Sequence, residues 1–363
     1  MKLPPVKLDF IHSLTDDTGL LQHAKFGIPR REEGYTTDDN TRALIALAKY
    51  FQANGSSKIA NRLIDTYLSF ILHMQKKDGK MRNFLSYDRR FMDNEASEDC
   101  MGRTLWSCGF VLASNLSLEK RLIGKEIFDK LLPWAFFFKS PRSKAFTLLG
   151  LKYYHKAYPE DKNLKKSIRE FVEKILEHYK AEHHKDWRWF ESYLTYANGR
   201  LPQALFEAHQ EIPDPNSLQT AKESIDFLLE VQMINGTFIP IGNHGWYRKG
   251  EQRAIYDQQS VEAAVMTEAT ISAFRETGDP KYRLAAQTIF NWFLGKNTIK
   301  LAVYNSDNGG CYDGITEKGL NLNMGAEAIV CYLSAALDIQ SMKHNHTTND
   351  DSKHIVAHTN KNA

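Results

Sequence analysis

Two stretches of the 363-residue chain share the pattern Asp-x-x-x-Arg followed by an apolar run: Asp38 to Arg42 and Asp99 to Arg103. Carboxylates suit acid–base work on a glycosidic bond, where one protonated group assists departure and one ionised group activates water. Further acidic, amide and basic residues recur at comparable points: Asp39 and Asn40; Glu98; Asn198 and Arg200; Asp257, Gln258 and Glu262; and Asn323 with Glu327. Trp187, Trp189 and Glu191 share one intervening segment, and His244 and Trp246 share another. An aromatic ring in a wet cleft stacks on the apolar CH face of a pyranose, while carboxylates and amides bond its hydroxyls. Each residue also has a plainer reading. Aspartates in a first helical turn often serve the helix dipole, and Asp/Arg at i, i+4 is often a salt bridge. Trp187 and Trp189 read more simply as anchors of a loop. Glu262 and Glu327 fall inside otherwise apolar helices, where an unpaired carboxylate is costly to bury.

What decides between these readings is the set of elements that positions the residues. Apolar residues recur at three- and four-residue spacing over 37–51, 57–75, 98–113, 118–138, 164–179, 217–233, 257–276, 282–294 and 324–337, which predicts helices. These helices are of two kinds. One has a charged face and a single apolar stripe, as in 164–179. The other is small and apolar nearly all round, with its polar residues at the N-terminal end, and must be buried. Six of the second kind start near Thr37, Glu98, Pro141, Gly199, Asp257 and Asn323. Alternation of inner and outer helices at this spacing predicts an all-α fold, a single (α/α)6 toroid over residues 1–340. In such a ring the inner helices run parallel, so their acidic heads gather on one face. The long loops rich in Gly, Asp, Asn and aromatics that precede them border that face.

Composition narrows the class. Lysine plus arginine total 47 and aspartate plus glutamate 44, so a charge of +3 offers no electrostatic reason for a nucleic-acid partner. The aromatic share is 12%, high enough to supply both a large core and a site. Cys100, Cys108, Cys311 and Cys331 have no metal-like spacing and read as reduced thiols. No phosphate loop, dinucleotide fingerprint, HExxH or GxSxG is present, so no cofactor is expected and no metal ligand is assigned, while clustered carboxylates leave Ca²⁺ dependence open. The N-terminus lacks the apolar run of a signal peptide, and no segment is long enough to span a bilayer. A cytoplasmic protein without membrane association is the expectation. Residues 341–363 are polar and read as a disordered tail, with His344, His346, His354 and His358 solvated in it.

Three motifs carry a resemblance: TDDTGLLQH at 15–23, GYTTDDNTRAL at 34–44 and NMGAE at 323–327. They resemble bacterial (α/α)6-toroid proteins that occur alone or fused behind group 1 glycosyltransferase domains, over roughly residues 10–338. The resemblance implies a carbohydrate-active toroid, similar in architecture to glycoside hydrolases and sugar 2-epimerases. It also implies a separately encoded glycosyltransferase as a potential partner. The expectation is a glycoside hydrolase-like enzyme acting on an oligosaccharide. Asp39 or Asp99 would be one catalytic carboxylate and Asp257 or Glu191 the other. Arg42 and Arg103 would orient the carboxylates four residues before them, Asp38 and Asp99. The alternatives are an epimerase or isomerase drawing on His12, His23, His209 or His244, and a non-catalytic glycan-binding module.

Overall fold

The computed structural model of the chain describes residues 3–359, with side chains described as far as residue 343. Twelve helices occur among the described residues. They are α1 (Asp9–Ser13), α2 (Thr37–Asn54), α3 (Lys58–Met74), α4 (Glu98–Leu112), α5 (Leu118–Ala135), α6 (Pro141–Ala157), α7 (Lys162–Glu182), α8 (Arg200–Glu211), α9 (Pro215–Gln232), α10 (Ser260–Thr277), α11 (Pro280–Phe290) and α12 (Ala326–Thr359). Alternate helices α2, α4, α6, α8, α10 and α12 contact one another in that order and close back on α2. The intervening helices pack outside them, α3 on α2, α5 on α4, α7 on α6, α9 on α8 and α11 on α10. This is a single-domain (α/α)6 toroid. The five-residue α1 and the outer α11 both pack on α12.

The two kinds of helix behave as their patterns require. Every residue of α4 from Asp99 to Leu112 is buried, as is every residue of α10 from Ser260 to Ala273. The outer α7 buries one stripe, Leu164, Ile168, Phe171, Val172, Ile175, Leu176 and Tyr179. Glycine lets the inner helices touch backbone to backbone. A Cβ on Gly109 of α4 would lie 2.3 Å from the Gly150 carbonyl oxygen of α6, and one on Gly150 would lie 2.6 Å from that of Leu105. All four cysteines are buried and free. No helix among the described residues is long and apolar enough to cross a membrane.

Several boundaries shift from the sequence reading. Thr36 caps α2 by accepting from the Asp39 N–H at 3.1 Å. Helix α9 starts at Pro215, two residues before the expected 217, and is capped by Asp214. Helix α10 starts at Ser260, so Asp257 precedes it, and Gln258–Gln259 pairs as a short strand with Gly314–Ile315. Helix α12 starts three residues after Asn323. The tail histidines His344, His346, His354 and His358 lie outside the residues whose side chains are described.

Candidate active site

A cleft of about 450 Å³ opens on the face where the inner helices begin. Asp38, Asp39 and Arg42 line it from the first turns of α2, and Glu327 from the first turn of α12. Loops supply Gln22, His23, Asn83, Asn243, Asp257 and Asp313. Two of the four proposed catalytic carboxylates, Asp39 and Asp257, thus share one cavity.

The carboxylates of this cleft are electrostatically unequal. Asp38 accepts from Arg103 at 2.6 Å and also pairs with Arg42. Burial opposes its ionisation, but the guanidiniums of Arg103 and Arg42 outweigh that and hold its carboxyl well below the usual range. Asp39 is buried with weaker compensation. Its Oδ2 accepts from the Thr36 hydroxyl at 2.7 Å, and Arg42 stands 3.7 Å from its other oxygen. Burial, with repulsion from Asp38 and Glu327, pushes its carboxyl up to about 6. Arg42 is meanwhile committed to Asp38 and to Glu327, the latter at 2.6 Å. Asp313 accepts from the Gly325 N–H at 2.6 Å, and burial raises it too, against the favourable charge of His23. Arg103 was expected to orient Asp99, four residues earlier in sequence. It reaches across to Asp38 instead, so both arginines converge on one carboxylate.

A second cavity of about 630 Å³ lies over the heads of α6 and α8 on the same face. It is lined by Lys139, Arg142, Glu191, Tyr193, Tyr196, Trp246 and Arg248 among others. Trp246 is three residues from Asn243 of the first cleft, and its ring centroid lies 6.4 Å from that of Tyr196. Asp99 sits beneath this second lobe. It accepts from the Tyr196 hydroxyl at 2.7 Å and from Ser140 at 3.1 Å. Glu191 pairs with the buried Arg142 at 2.5 Å. These two carboxylates therefore position the second lobe and do not share the cavity of Asp39 and Asp257.

Most of the other expected contacts spend their polar groups within the fold or lie outside the two cavities. Trp187 is 2% exposed and Trp189 0%, so neither presents a face to a sugar. The Trp187 indole donates to the Glu191 carbonyl at 2.7 Å, which makes it a loop anchor. Asn40 holds the Leu20 N–H at 3.0 Å and the Thr36 carbonyl at 2.7 Å. Glu98 accepts the N–H groups of Lys139 and Ser140, both at 2.8 Å, at the start of α6. Asn198 is buried and closes the Thr195 turn. Arg200 is paired with Glu268 in the core and stacks on Trp106 at 4.5 Å. Glu262 is buried, holds the Ala197 N–H at 2.5 Å, and is pushed up to about 7 by burial. Asn323 accepts from the Phe26 N–H at 3.0 Å. Gln258 reaches the cleft wall, with its amide spent on Trp292 at 2.9 Å and Thr298 at 3.1 Å. His244 is exposed and lines neither cavity.

Sequence reasoning did not place Gln22, Asn83, Asn243 or Asp313 in the site. The signal for Gln22 lay in the 15–23 motif, and that for Asp313 in the Gly-rich loop before α12. Of the four histidines considered for an epimerase, only His23 lines the cleft. Among the described residues no group of three His, Cys, Asp or Glu side chains could hold a metal ion.

No family model matches the chain, nor does any curated protein. Its fold does match solved structures. A sugar epimerase from a ruminal bacterium superimposes with a TM-score of 0.72 at 11% identity, covering 92% of this chain and 95% of that one. Cellobiose 2-epimerase from Bacillus thermoamylovorans gives 0.71 at 12% identity, covering 93% and 96%. An α-1,6-mannanase from Salegentibacter gives 0.61 at 11% identity, covering 91% and 95%. At such low identity the likeness is one of fold, a toroid shared by enzymes whose chemistry differs.

Proposed function

We propose that this protein is a carbohydrate-acting enzyme, a glycoside hydrolase with Asp39 as the proton donor and Asp257 as the carboxylate that activates water. The observation that carries this reading is the presence of two carboxylates in one cleft, one of which burial pushes up to about 6. Asp39 retains its proton near pH 6 because it is buried beside Asp38 and Glu327. Asp257 lines the same cavity from the lead-in to α10. One carboxyl held protonated and a second carboxylate in the same cleft is the pair that acid-assisted departure of a sugar requires. Asp38 is unsuited to donate a proton, since two arginines keep it ionised. It acts on Asp39 through repulsion. The carbohydrate-acting toroids that share the fold support the substrate class.

In the proposed reaction the Asp39 carboxyl gives its proton to the glycosidic oxygen as the bond to the anomeric carbon breaks. Asp257 takes a proton from the attacking water on the opposite side. An inverting pair leaves about 6.5–9.5 Å between carboxyls for that water. Incubation of the purified protein with a defined oligosaccharide panel, with chromatographic and NMR detection, tests the reading. Shorter products that vanish in Asp39→Asn and Asp257→Asn support it, and full activity in both variants overturns it.

One observation favours a second reading, epimerisation at the carbon beside a carbonyl. His23 lines the cleft within electrostatic reach of Asp313, and an imidazole is a suitable base near neutral pH. An unchanged chain length with exchange of one sugar hydrogen for solvent deuterium identifies that activity. Binding without either change identifies a non-catalytic module.

A further inference from the structure

The two cavities on the helix-head face differ in charge. The first is acidic: Asp38, Asp39, Asp257, Asp313 and Glu327 outnumber Arg42 and His23. The second carries Lys139, Arg142 and Arg248 against the single carboxylate of Glu191. That carboxylate is spent on Arg142, whose remaining nitrogens donate to the Tyr196 carbonyl at 2.6 Å and to Asn198 at 3.1 Å. The charges left for a ligand are those of Lys139 and Arg248. Both are exposed, and neither side chain has an ion pair or hydrogen bond among the described residues.

The walls of this lobe are built to face a ring. Tyr193 pairs with Arg248 across a two-stranded ladder, which puts both residues on one side of it and both line the cavity. Tyr196 is clamped from two sides, by Asp99 on its hydroxyl and by the Arg142 guanidinium 4.9 Å from its ring centre. It remains 38% exposed, with Trp246 next to it. A rigid aromatic face flanked by uncommitted cations binds a sugar ring that itself carries negative charge.

We propose that the second lobe is a subsite for an anionic sugar, so that the substrate is an acidic oligosaccharide whose charged residue docks beside the cleft of Asp39 and Asp257. This inference rests on the reading of the face as a carbohydrate site, but not on the reaction performed there. The shared chemistry is a negative substituent on a sugar, either the carboxylate of a uronic acid or a phosphate or sulfate ester. A carboxylate would take a forked pair of hydrogen bonds from Arg248, and an ester oxyanion a more diffuse set from both cations.

The test is calorimetric binding to the Asp39→Asn protein of matched tetrasaccharides in neutral, uronate-bearing, phosphorylated and sulfated form. At least one charged form should bind roughly tenfold more tightly than its neutral parent, the worth of one charge-assisted hydrogen bond. That preference should fade in about 1 M salt, where the screening length is short. Joint substitution Lys139→Ala and Arg248→Ala should remove the preference by weakening the charged forms roughly tenfold more than the neutral one, and Arg248→Glu should reverse it. The uronate, phosphate and sulfate arms show which anion is the ligand. Equal binding of charged and neutral forms, absence of binding across the panel, or a preference untouched by the variants overturns the inference. Preferential binding with no cleavage by the wild-type protein leaves the subsite standing and removes the hydrolase reading. Cleavage of neutral chains with no charge preference does the reverse.

Discussion

At the scale of single residues the site depends on how burial is compensated. Asp38 and Asp39 are adjacent, yet one is held ionised and the other protonated near pH 6, because two arginines converge on the first. If Asp39 is the proton donor, kcat/KM should fall as pH rises through about 6, since only the protonated form acts. Asp39→Asn should lower turnover by roughly 10²-fold or more with an unchanged circular dichroism spectrum. Glu262 allows a separate test of stability. Its folded form holds a proton more tightly than the unfolded chain, so its contribution is complete below the ordinary carboxylate range and is lost as pH rises through about 7. The cost of ionising it is roughly 3 kcal/mol. Glu262→Gln keeps an acceptor for the Ala197 N–H and removes that cost. Melting curves from pH 5 to pH 8 should show a smaller decline in the variant than in the wild type, and an identical decline would contradict the assignment.

At the scale of elements, the inner ring is set by how closely its helices approach. Helices α4 and α6 meet at Gly109 and Gly150, where a Cβ would fall within 2.3 Å and 2.6 Å of facing carbonyl oxygens. Gly150→Ala must therefore push α6 off α4, at a cost of about 1–3 kcal/mol or more. Gly124→Ala on the outer α5 meets nothing nearer than 3.3 Å and should cost much less. Urea titration of the two variants makes the comparison. The heads of α6 and α8 also support the second lobe, so a shifted α6 should weaken glycan binding along with stability.

At the scale of the whole molecule, closure makes the helix heads into a site. The cleft draws Asp39 from α2 near the start of the chain and Glu327 from α12 near its end, joined through Arg42. Helix α12 seals the ring by packing on both α2 and α10. Deleting residues from 326 onward should expose the apolar sides of both neighbours and abolish cooperative unfolding. Limited proteolysis and thermal melting of the truncated chain test this, and a sharp native-like transition would show that closure is not required. In the intact protein the ring should unfold as one unit, because each inner helix is buried by its two neighbours.

The sequence alone determined the helices, their two kinds and their alternation, because a helix apolar on all sides has no stable place except an interior. It also determined that polar residues gather at the inner-helix heads, and hence which face holds the candidate cleft. Only the tertiary structure decided which of those residues point into a cavity. Asp39 and Asp257 do, whereas Glu98, Asn198, Arg200 and Glu262 spend their polar groups satisfying backbone and partner charges inside the wall. Identical side-chain types serve both purposes, and spacing along one chain does not record a partner on another helix. Arg103 shows the limit most directly. Its i, i+4 neighbour is Asp99, but the geometry of α4 against α2 delivers it to Asp38, which it helps to hold ionised.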